Sequence, residues 1–163
     1  MIKRNAVLFF CAIVCLTLAC KEDLYFQSKK EIPAALWAYQ DSLDFTFEIL
    51  DTSAIYNLYL DIEHSTEYPF QNVYLQVYTL FPSGKRDRQR LNIDFADKTG
   101  RWYGKCNSEE CRLRVFMQES VYFAEQGAYT ITLKQFTRED TLSGIMGMRI
   151  ALAVQDDVER NAN

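Results

Sequence analysis

A single histidine and a few carboxylates are the side chains of this sequence that could perform acid–base chemistry. His64 is the only histidine, and no nucleophile motif of a hydrolase accompanies it, so we predict a rim or surface residue. Asp94, Asp97 and the pair Glu139-Asp140 could serve a glycosidase or bind calcium, but their spacing matches neither arrangement. The sequence therefore predicts a non-enzymatic protein with no catalytic residues, no metal site and no cofactor.

A different chemistry, lipid attachment, is indicated near the N-terminus. Two basic residues precede an apolar run over residues 6–19, a pattern that is typical of a secretory signal peptide and too short to cross a bilayer. The run ends in Ala-Cys, which resembles a bacterial lipobox, although Thr17 stands where that signal usually has leucine. We expect residues 1–19 to be a lipoprotein signal peptide and Cys20 to be the acylated mature N-terminus. The alternative is an ordinary secreted protein that is cut nearby.

The composition limits the size of the fold and the class of partner. A chain of 163 residues, 48% of them hydrophobic, has room for one domain with a substantial core. Its net charge of −4 becomes −6 when Lys3 and Arg4 leave with the signal peptide. We therefore expect a membrane partner through the lipid anchor and no nucleic-acid partner.

Two further cysteines, Cys106 and Cys111, flank a short polar segment. The other three belong to the apolar run and the lipobox, and in an exported chain the remaining pair is typical of a disulfide across the turn at residues 107–110. A disulfide that closes a loop this short stabilises the folded protein by about 2 kcal/mol when only the entropy of the unfolded chain is considered. The alternative, a metal site with Glu109 or Glu110, lacks a third good ligand.

Alternation of apolar and polar residues dominates the rest of the chain. Leu43, Phe45, Phe47 and Ile49 alternate with polar residues, as in a half-buried strand. Comparable patterns predict strands at 43–49, 56–63, 73–81, 87–95, 112–118, 129–134 and 146–154. No segment carries a helical stripe, so the sequence predicts an all-β fold, a single antiparallel β-sandwich, Ig-like or jelly-roll-like, of about seven or eight strands. An up-and-down barrel is the alternative.

These patterns also divide the chain into regions. Residues 20–36 are predicted to be the acylated cysteine and a polar tether, and residues 37–154 to be the sandwich. The polar residues 155–163 are predicted to form a flexible tail.

Tyrosines are numerous for one small domain. Several of them could stack on sugar rings or form a protein-binding face. They are Tyr56, Tyr59, Tyr74, Tyr78 and Tyr103. Packing in the core and between neighbouring strands is the alternative.

A series of short stretches between residues 32 and 152 carries a family resemblance. They are Ile32-Pro33 before Trp37 and Asp41-Ser42, Tyr56-Asn57-Leu58, residues 68–75 (YPFQNVYL), 81–84 (FPSG), 96–104 (ADKTGRWYG), 121–123 with 127–131, and 147–150 (GMRI). Together, in this order and behind a lipobox, they resemble the GldH family of gliding-motility lipoproteins in the Bacteroidota. The Cys106/Cys111 loop is not part of that family pattern.

The resemblance implies an outer-membrane lipoprotein that takes part in gliding, a motility coupled to type IX protein secretion, and it supplies no catalytic residues. We therefore expect a non-enzymatic structural or assembly component. Its expected partners are other outer-membrane proteins or gliding and secretion lipoproteins, and no small-molecule ligand is expected. Trp102 and Tyr103, in the turn between Gly100 and Gly104, are the predicted partner contacts because exposed aromatic tips make good anchors.

Two questions stay open at the level of sequence. One alternative function is a carbohydrate-binding lipoprotein or a general accessory lipoprotein of outer-membrane biogenesis. The membrane face is also undecided. Lys21-Glu22-Asp23 resembles the signal that sends lipoproteins of this phylum to the cell surface, and a solvated tether without such a signal explains the same residues equally well.

Overall fold

A computed structural model describes residues 24–155 of the chain. Within that range the chain forms eleven strands and one 3-10 turn at Pro33–Ala35. The strands are β1 Leu24–Glu31, β2 Leu36–Ala38, β3 Leu43–Ile49, β4 Tyr56–Ser65, β5 Asn72–Leu80, β6 Arg86–Asp94, β7 Lys105–Cys106, β8 Glu110–Val121, β9 Gly127–Gln135, β10 Thr141–Ser143 and β11 Ile145–Val154. No helix in this part of the chain has the length and apolar character needed to cross a bilayer.

Two antiparallel sheets form a sandwich. One has the strand order β1-β11-β4-β8-β7, the other has the order β3-β9-β5-β6, and β2 pairs with β10 in a separate two-stranded ribbon. The eight long strands follow the order of a jelly roll, so the predicted antiparallel sandwich is confirmed. The strand count is higher than predicted, because β2, β7 and β10 have only two or three residues and show no readable alternation.

Alternation along the strands builds the core. In β3, Phe45, Phe47 and Ile49 are buried while the residues between them are exposed, and in β4 the even-numbered positions such as Leu60 and Ile62 are buried in the same way. The inward faces of both sheets merge into one hydrophobic cluster. Burial of each large apolar side chain contributes about 1.5–3 kcal/mol.

The tether predicted over residues 20–36 is corrected by the structure, because part of this segment is a strand of the sandwich. Residues 24–31 form β1, which pairs antiparallel with β11, and the Phe26 ring packs 5.3 Å from the Phe47 ring of the core. Because β1 is an edge strand, it carries lysines and a glutamate that discourage pairing with another chain. That polar composition is also what makes the segment look like a tether in the sequence.

Several predicted N- and C-terminal features lie outside the described residues. They are the signal peptide over residues 1–19, the acylated Cys20 and residues 156–163 of the tail. Their assignments stay predictions.

Candidate functional site

The segment that carries Trp102 and Tyr103 follows a turn organised by the Asp97 carboxylate. Asp97 Oδ1 accepts hydrogen bonds from the Thr99 hydroxyl at 2.6 Å, the Thr99 N–H at 2.8 Å and the Arg101 N–H at 3.1 Å. The hydrogen bond from the Thr99 side chain, followed by that from the Arg101 backbone, lowers the pKa of Asp97 to about 2. This carboxylate therefore holds the turn together as an anion.

The two aromatic rings after this turn lie in different environments. The Tyr103 N–H donates to the Phe95 carbonyl at 2.8 Å, and Trp102 forms a bridge with Ala96. Because successive residues of an extended segment point to opposite sides, Trp102 packs half-buried against the core while Tyr103 is 57% exposed. Trp102 is thus not the exposed tip that the sequence predicted. A contact role for Tyr103 remains a prediction.

Tyr103 borders a concave surface on the outer face of the five-stranded sheet, which we call the charged cleft. The cleft has a volume of about 730 Å³ and also includes Gln27, Ser28 and Gly104. Its charged side chains are Lys29, Asp61, Glu63, Lys105, Arg112, Arg114 and Arg149. Five of these are basic and two are acidic, and Glu31 and Glu110 beside the cleft pair with Lys29 and Arg112 at 2.7 Å each. The cleft therefore keeps a small excess of positive charge, although the whole chain has a net charge of −4.

Two carboxylates on β4 hold the basic groups of the charged cleft in place. Asp61 lies between Arg114, whose Nε is 2.6 Å from Oδ1, and Arg149, whose Nη2 is 2.6 Å from Oδ2. Glu63, two residues along the same strand, pairs with Lys29 at 2.6 Å. Alternate residues of a strand face the same side, so β4 presents both carboxylates to the cations of its neighbours. The result is an ordered array of ion pairs along the charged cleft.

His64 is buried, so the prediction of a rim or surface residue is wrong. Its ring is fully buried and stacks on Phe95, with Trp102 edge-on at 4.8 Å between centroids and Tyr68 at 5.8 Å. The Nδ1–H donates to the Ser65 carbonyl at 2.9 Å. Burial lowers the pKa of His64, and the hydrogen bond to Ser65 opposes that change. We call these four rings the His64 cluster.

The predicted disulfide between Cys106 and Cys111 is present. The two residues are directly opposite each other in the pairing of β7 with β8, with 4.0 Å between their Cα atoms. Cys111 is buried and Cys106 is exposed. The bond therefore holds the short β7, and with it Lys105, against β8 at the side of the charged cleft.

The acidic residues considered for catalysis or calcium lie in separate hydrogen-bonded settings. Asp94 accepts a hydrogen bond from the Asn92 side chain at 3.2 Å, and Asp97 holds its turn. The backbone carbonyls of Glu139 and Asp140 accept from other segments. Over residues 24–155, no three His, Cys, Asp or Glu side chains come together in a way that could hold a metal ion.

The five tyrosines from the sequence separate into two groups. Tyr56 is buried in the core and Tyr59 is half-buried on the outer face of its sheet. Tyr74, Tyr78 and Tyr103 are 50%, 36% and 57% exposed. The packing interpretation therefore holds for Tyr56 and Tyr59, whereas a stacking or protein-binding role for the three exposed tyrosines stays a prediction.

Comparison with known families places the chain among lipoproteins. A family model described as GldH lipoprotein matches residues 24–150, which is the whole sandwich apart from the end of β11. The chain belongs to the GldH lipoprotein family. That assignment confirms the resemblance seen in the sequence and makes this a lipoprotein by family.

Two relatives extend the likeness of this GldH-family chain over almost its full length. The gliding motility lipoprotein GldH of Flavobacterium johnsoniae is 28% identical over 158 residues, covering 91% of this chain and 96% of the relative. A GldH homolog of Christiangramia forsetii is 23% identical, with 97% of each chain covered. Among solved structures, the uncharacterized protein lmo2446 of Listeria monocytogenes is 13% identical with a TM-score of 0.40, over 81% of this chain and 11% of that one.

The charged cleft of this GldH-family domain was not anticipated from its sequence. Its signal was nevertheless present, since the outward positions of β4 carry Asp61 and Glu63 while those of β8 carry Arg112 and Arg114. Opposite charges at alternate positions of two predicted strands favour adjacent pairing. Lys29 could not have been found in this way, because its segment was assigned to the tether.

Proposed function

We propose that this protein is an outer-membrane lipoprotein that serves, without catalysis, as an assembly component of the gliding machinery linked to type IX secretion. Cys20 would carry the acyl chains that anchor it. The sandwich would present the charged cleft and the Tyr103 ring to a partner protein of the same machinery.

The observation that carries this proposal is the family match over nearly the whole sandwich, together with relatives named for gliding motility. The charges of the cleft support the kind of partner. Its excess of basic side chains suits an acidic surface, and opposite potentials steer association and fix the orientation of two proteins. An exposed tyrosine at the rim adds a hydrophobic anchor of the type that dominates many interfaces.

The proposal is tested by affinity purification of the tagged lipoprotein from native outer membranes, followed by mass spectrometry. We expect gliding or secretion components to co-purify with the wild-type protein. The Tyr103→Ala and Lys105→Glu variants should recover much less of them, because each change alters an exposed side chain of the proposed contact surface. Neither side chain belongs to an ion pair among the described residues, so neither change breaks the ion pairs of the charged cleft.

Arg88→Glu is the matched control, since Arg88 is also an exposed cation and lies on the outer face of the other sheet. This variant should recover the same partners as the wild type. A glycan-uptake porin or general assembly factors as the main co-purifying proteins would contradict the proposed role. Equal loss with Arg88→Glu would argue against the charged cleft as the contact surface.

Anchoring at Cys20 is tested independently of partners. Cells labelled with radioactive palmitate should incorporate it into the wild-type protein and not into a Cys20→Ala variant, and only the former should fractionate with the outer membrane. Protease added to intact cells then decides the membrane face, because a surface-exposed sandwich is removed and a periplasmic one is protected until lysis. Palmitate incorporation by the Cys20→Ala variant would contradict the lipobox assignment.

A further inference from the structure

A second concave surface lies on the opposite side of the sandwich, and we call it the aromatic groove. It forms where β5 and β6 of the four-stranded sheet meet the β4–β5 and β9–β10 connections and the segment after β2. Its volume is about 870 Å³. Its lining residues include the rings of Tyr39, Phe70, Tyr74 and Phe136 and the polar side chains of Asn72, Arg90, Asn92 and Glu139.

Three of the aromatic rings of the groove are exposed to solvent. Tyr39 is 48% exposed, Phe70 is 40% exposed and Tyr74 is 50% exposed. Exposed aromatic rings that gather in one place mark a binding surface more often than isolated ones do. With Phe136, the rings of the groove come from three separate segments at residues 39, 70–74 and 136, so their convergence is a property of the fold.

Hydrogen bonds between the segments hold these rings in position. The Phe136 N–H donates to the Tyr74 carbonyl at 2.8 Å, and the Tyr39 N–H donates to the Asp140 carbonyl at 2.8 Å. Phe70 contacts the buried ring of Tyr68 edge-on, with 5.7 Å between centroids. The groove is therefore preformed, which reduces the entropy that a ligand must overcome.

Polar groups lie between the rings. The Asn72 side-chain amide donates to Asn92 Oδ1 at 2.6 Å, and the Asn92 amide donates to Asp94 at 3.2 Å. The Arg90 guanidinium lies over the Phe136 ring, 4.4 Å from its centroid. Carboxamide and guanidinium groups have more donors and acceptors than these contacts use, so hydrogen-bonding capacity faces the groove.

We infer that the aromatic groove binds a saccharide. The C–H faces of a sugar ring pack on exposed aromatic faces, and its hydroxyl groups need both donors and acceptors at close spacing. The groove supplies rings, carboxamides, a guanidinium and the Glu139 carboxylate together, whereas the outer face of the other sheet offers mainly ion pairs. Its volume is that of an ordinary small-ligand site, about 300–1,000 Å³.

This binding site goes beyond the proposed assembly role and can be tested apart from it. The charged cleft and the aromatic groove lie on different sheets and share no lining residue. Substitutions in one surface therefore leave the side chains of the other unchanged.

The experiment uses the full-length lipoprotein in a detergent without a sugar headgroup, applied to an array of neutral and acidic oligosaccharides. Each oligosaccharide that binds is then titrated by calorimetry. We expect binding that weakens about tenfold in Tyr74→Ala, because one stacking ring is lost. Tyr122→Ala is the matched control, since Tyr122 is 69% exposed and lies outside the groove. It should bind as tightly as the wild type.

Three results would overturn the inference. One is the absence of binding to any oligosaccharide on the array. Another is binding that Tyr74→Ala and Asn92→Ala leave unchanged while circular dichroism shows both variants to be folded. The third is a photoreactive phenylalanine at position 74 that crosslinks to a protein in intact cells, which would make the groove a protein-docking surface. None of these outcomes affects recovery of partners through Tyr103, so the two proposals fail separately.

Discussion

The imidazole ring of His64 stacks on the phenyl ring of Phe95, with 4.6 Å between centroids and 12° between ring planes. Nδ1 donates to the Ser65 carbonyl, and Nε2 has no hydrogen-bond partner among the described residues. A buried imidazole with one unpaired nitrogen is tolerated only in its neutral form, because a buried charge without a partner is costly. His64 therefore belongs to the core as a neutral aromatic side chain.

The first prediction concerns pH. Burial lowers the pKa of His64 from its ordinary value of 6.5, so the unfolded chain takes up this proton at a higher pH than the folded chain does. The contribution of neutral His64 to the free energy of unfolding is therefore fully present above pH 6.5 and is lost as the pH falls through the lowered pKa. Urea unfolding measured from about pH 7.5 down to 5 should show this loss.

His64→Phe is the control for that measurement, because His64 is the only histidine of the chain. The variant should keep a nearly constant free energy of unfolding across the same range. If it loses stability as steeply as the wild type, some other group is responsible.

The second prediction concerns the Cys106–Cys111 disulfide. Reduction should lower the free energy of unfolding by about 2 kcal/mol, since the bond closes a short loop. Thermal or urea unfolding with and without a phosphine reductant measures the difference. A Cys106→Ser/Cys111→Ala double variant should resemble the reduced protein and should not respond to the reductant. A response in that variant would mean that the reductant acts elsewhere.

The third prediction concerns Asp61, which holds Arg114 and Arg149 in the charged cleft. The side chain of Asp61 is only 14% exposed, so Asp61→Asn should cost about 1–3 kcal/mol of unfolding free energy. Arg101→Gln breaks the pair with Asp97 at an 82% exposed site and should leave the free energy of unfolding nearly unchanged, because solvent screens an exposed ion pair. Urea unfolding of both variants tests the contrast, and equal losses would mean that burial does not distinguish the two pairs.

The fourth prediction concerns Gly104, which follows Tyr103. A Cβ at this position would lie 2.6 Å from the backbone carbonyl oxygen of Arg112. Gly104→Ala should therefore cost about 1–3 kcal/mol and displace the Tyr103 segment, lowering partner recovery. Gly84→Ala meets no atom within 4 Å, and its positive φ of +81° should cost about 1 kcal/mol with no effect on partners. Normal partner recovery by Gly104→Ala would show that the segment tolerates displacement.

The sequence alone determined the parts of this protein that depend on local pattern. Alternation at Leu43–Ile49 and in six other segments located seven of the eight long strands, because side chains of a strand alternate between its faces whatever strand lies beside it. The spacing of Cys106 and Cys111 in an exported chain was enough to predict their bond, and the ordered series of stretches between residues 32 and 152 was enough to predict the family.

The tertiary structure decided what depends on contacts between distant residues. The polar segment 24–31 became a strand because the edge of β11 was available to it. His64 became a core residue because Phe95 and Trp102 cover its strand end. The charged cleft and the aromatic groove likewise combine residues from segments far apart in the chain. Alternation tells which face of a strand is buried, but only the strand order and the path of the loops determine what covers that face.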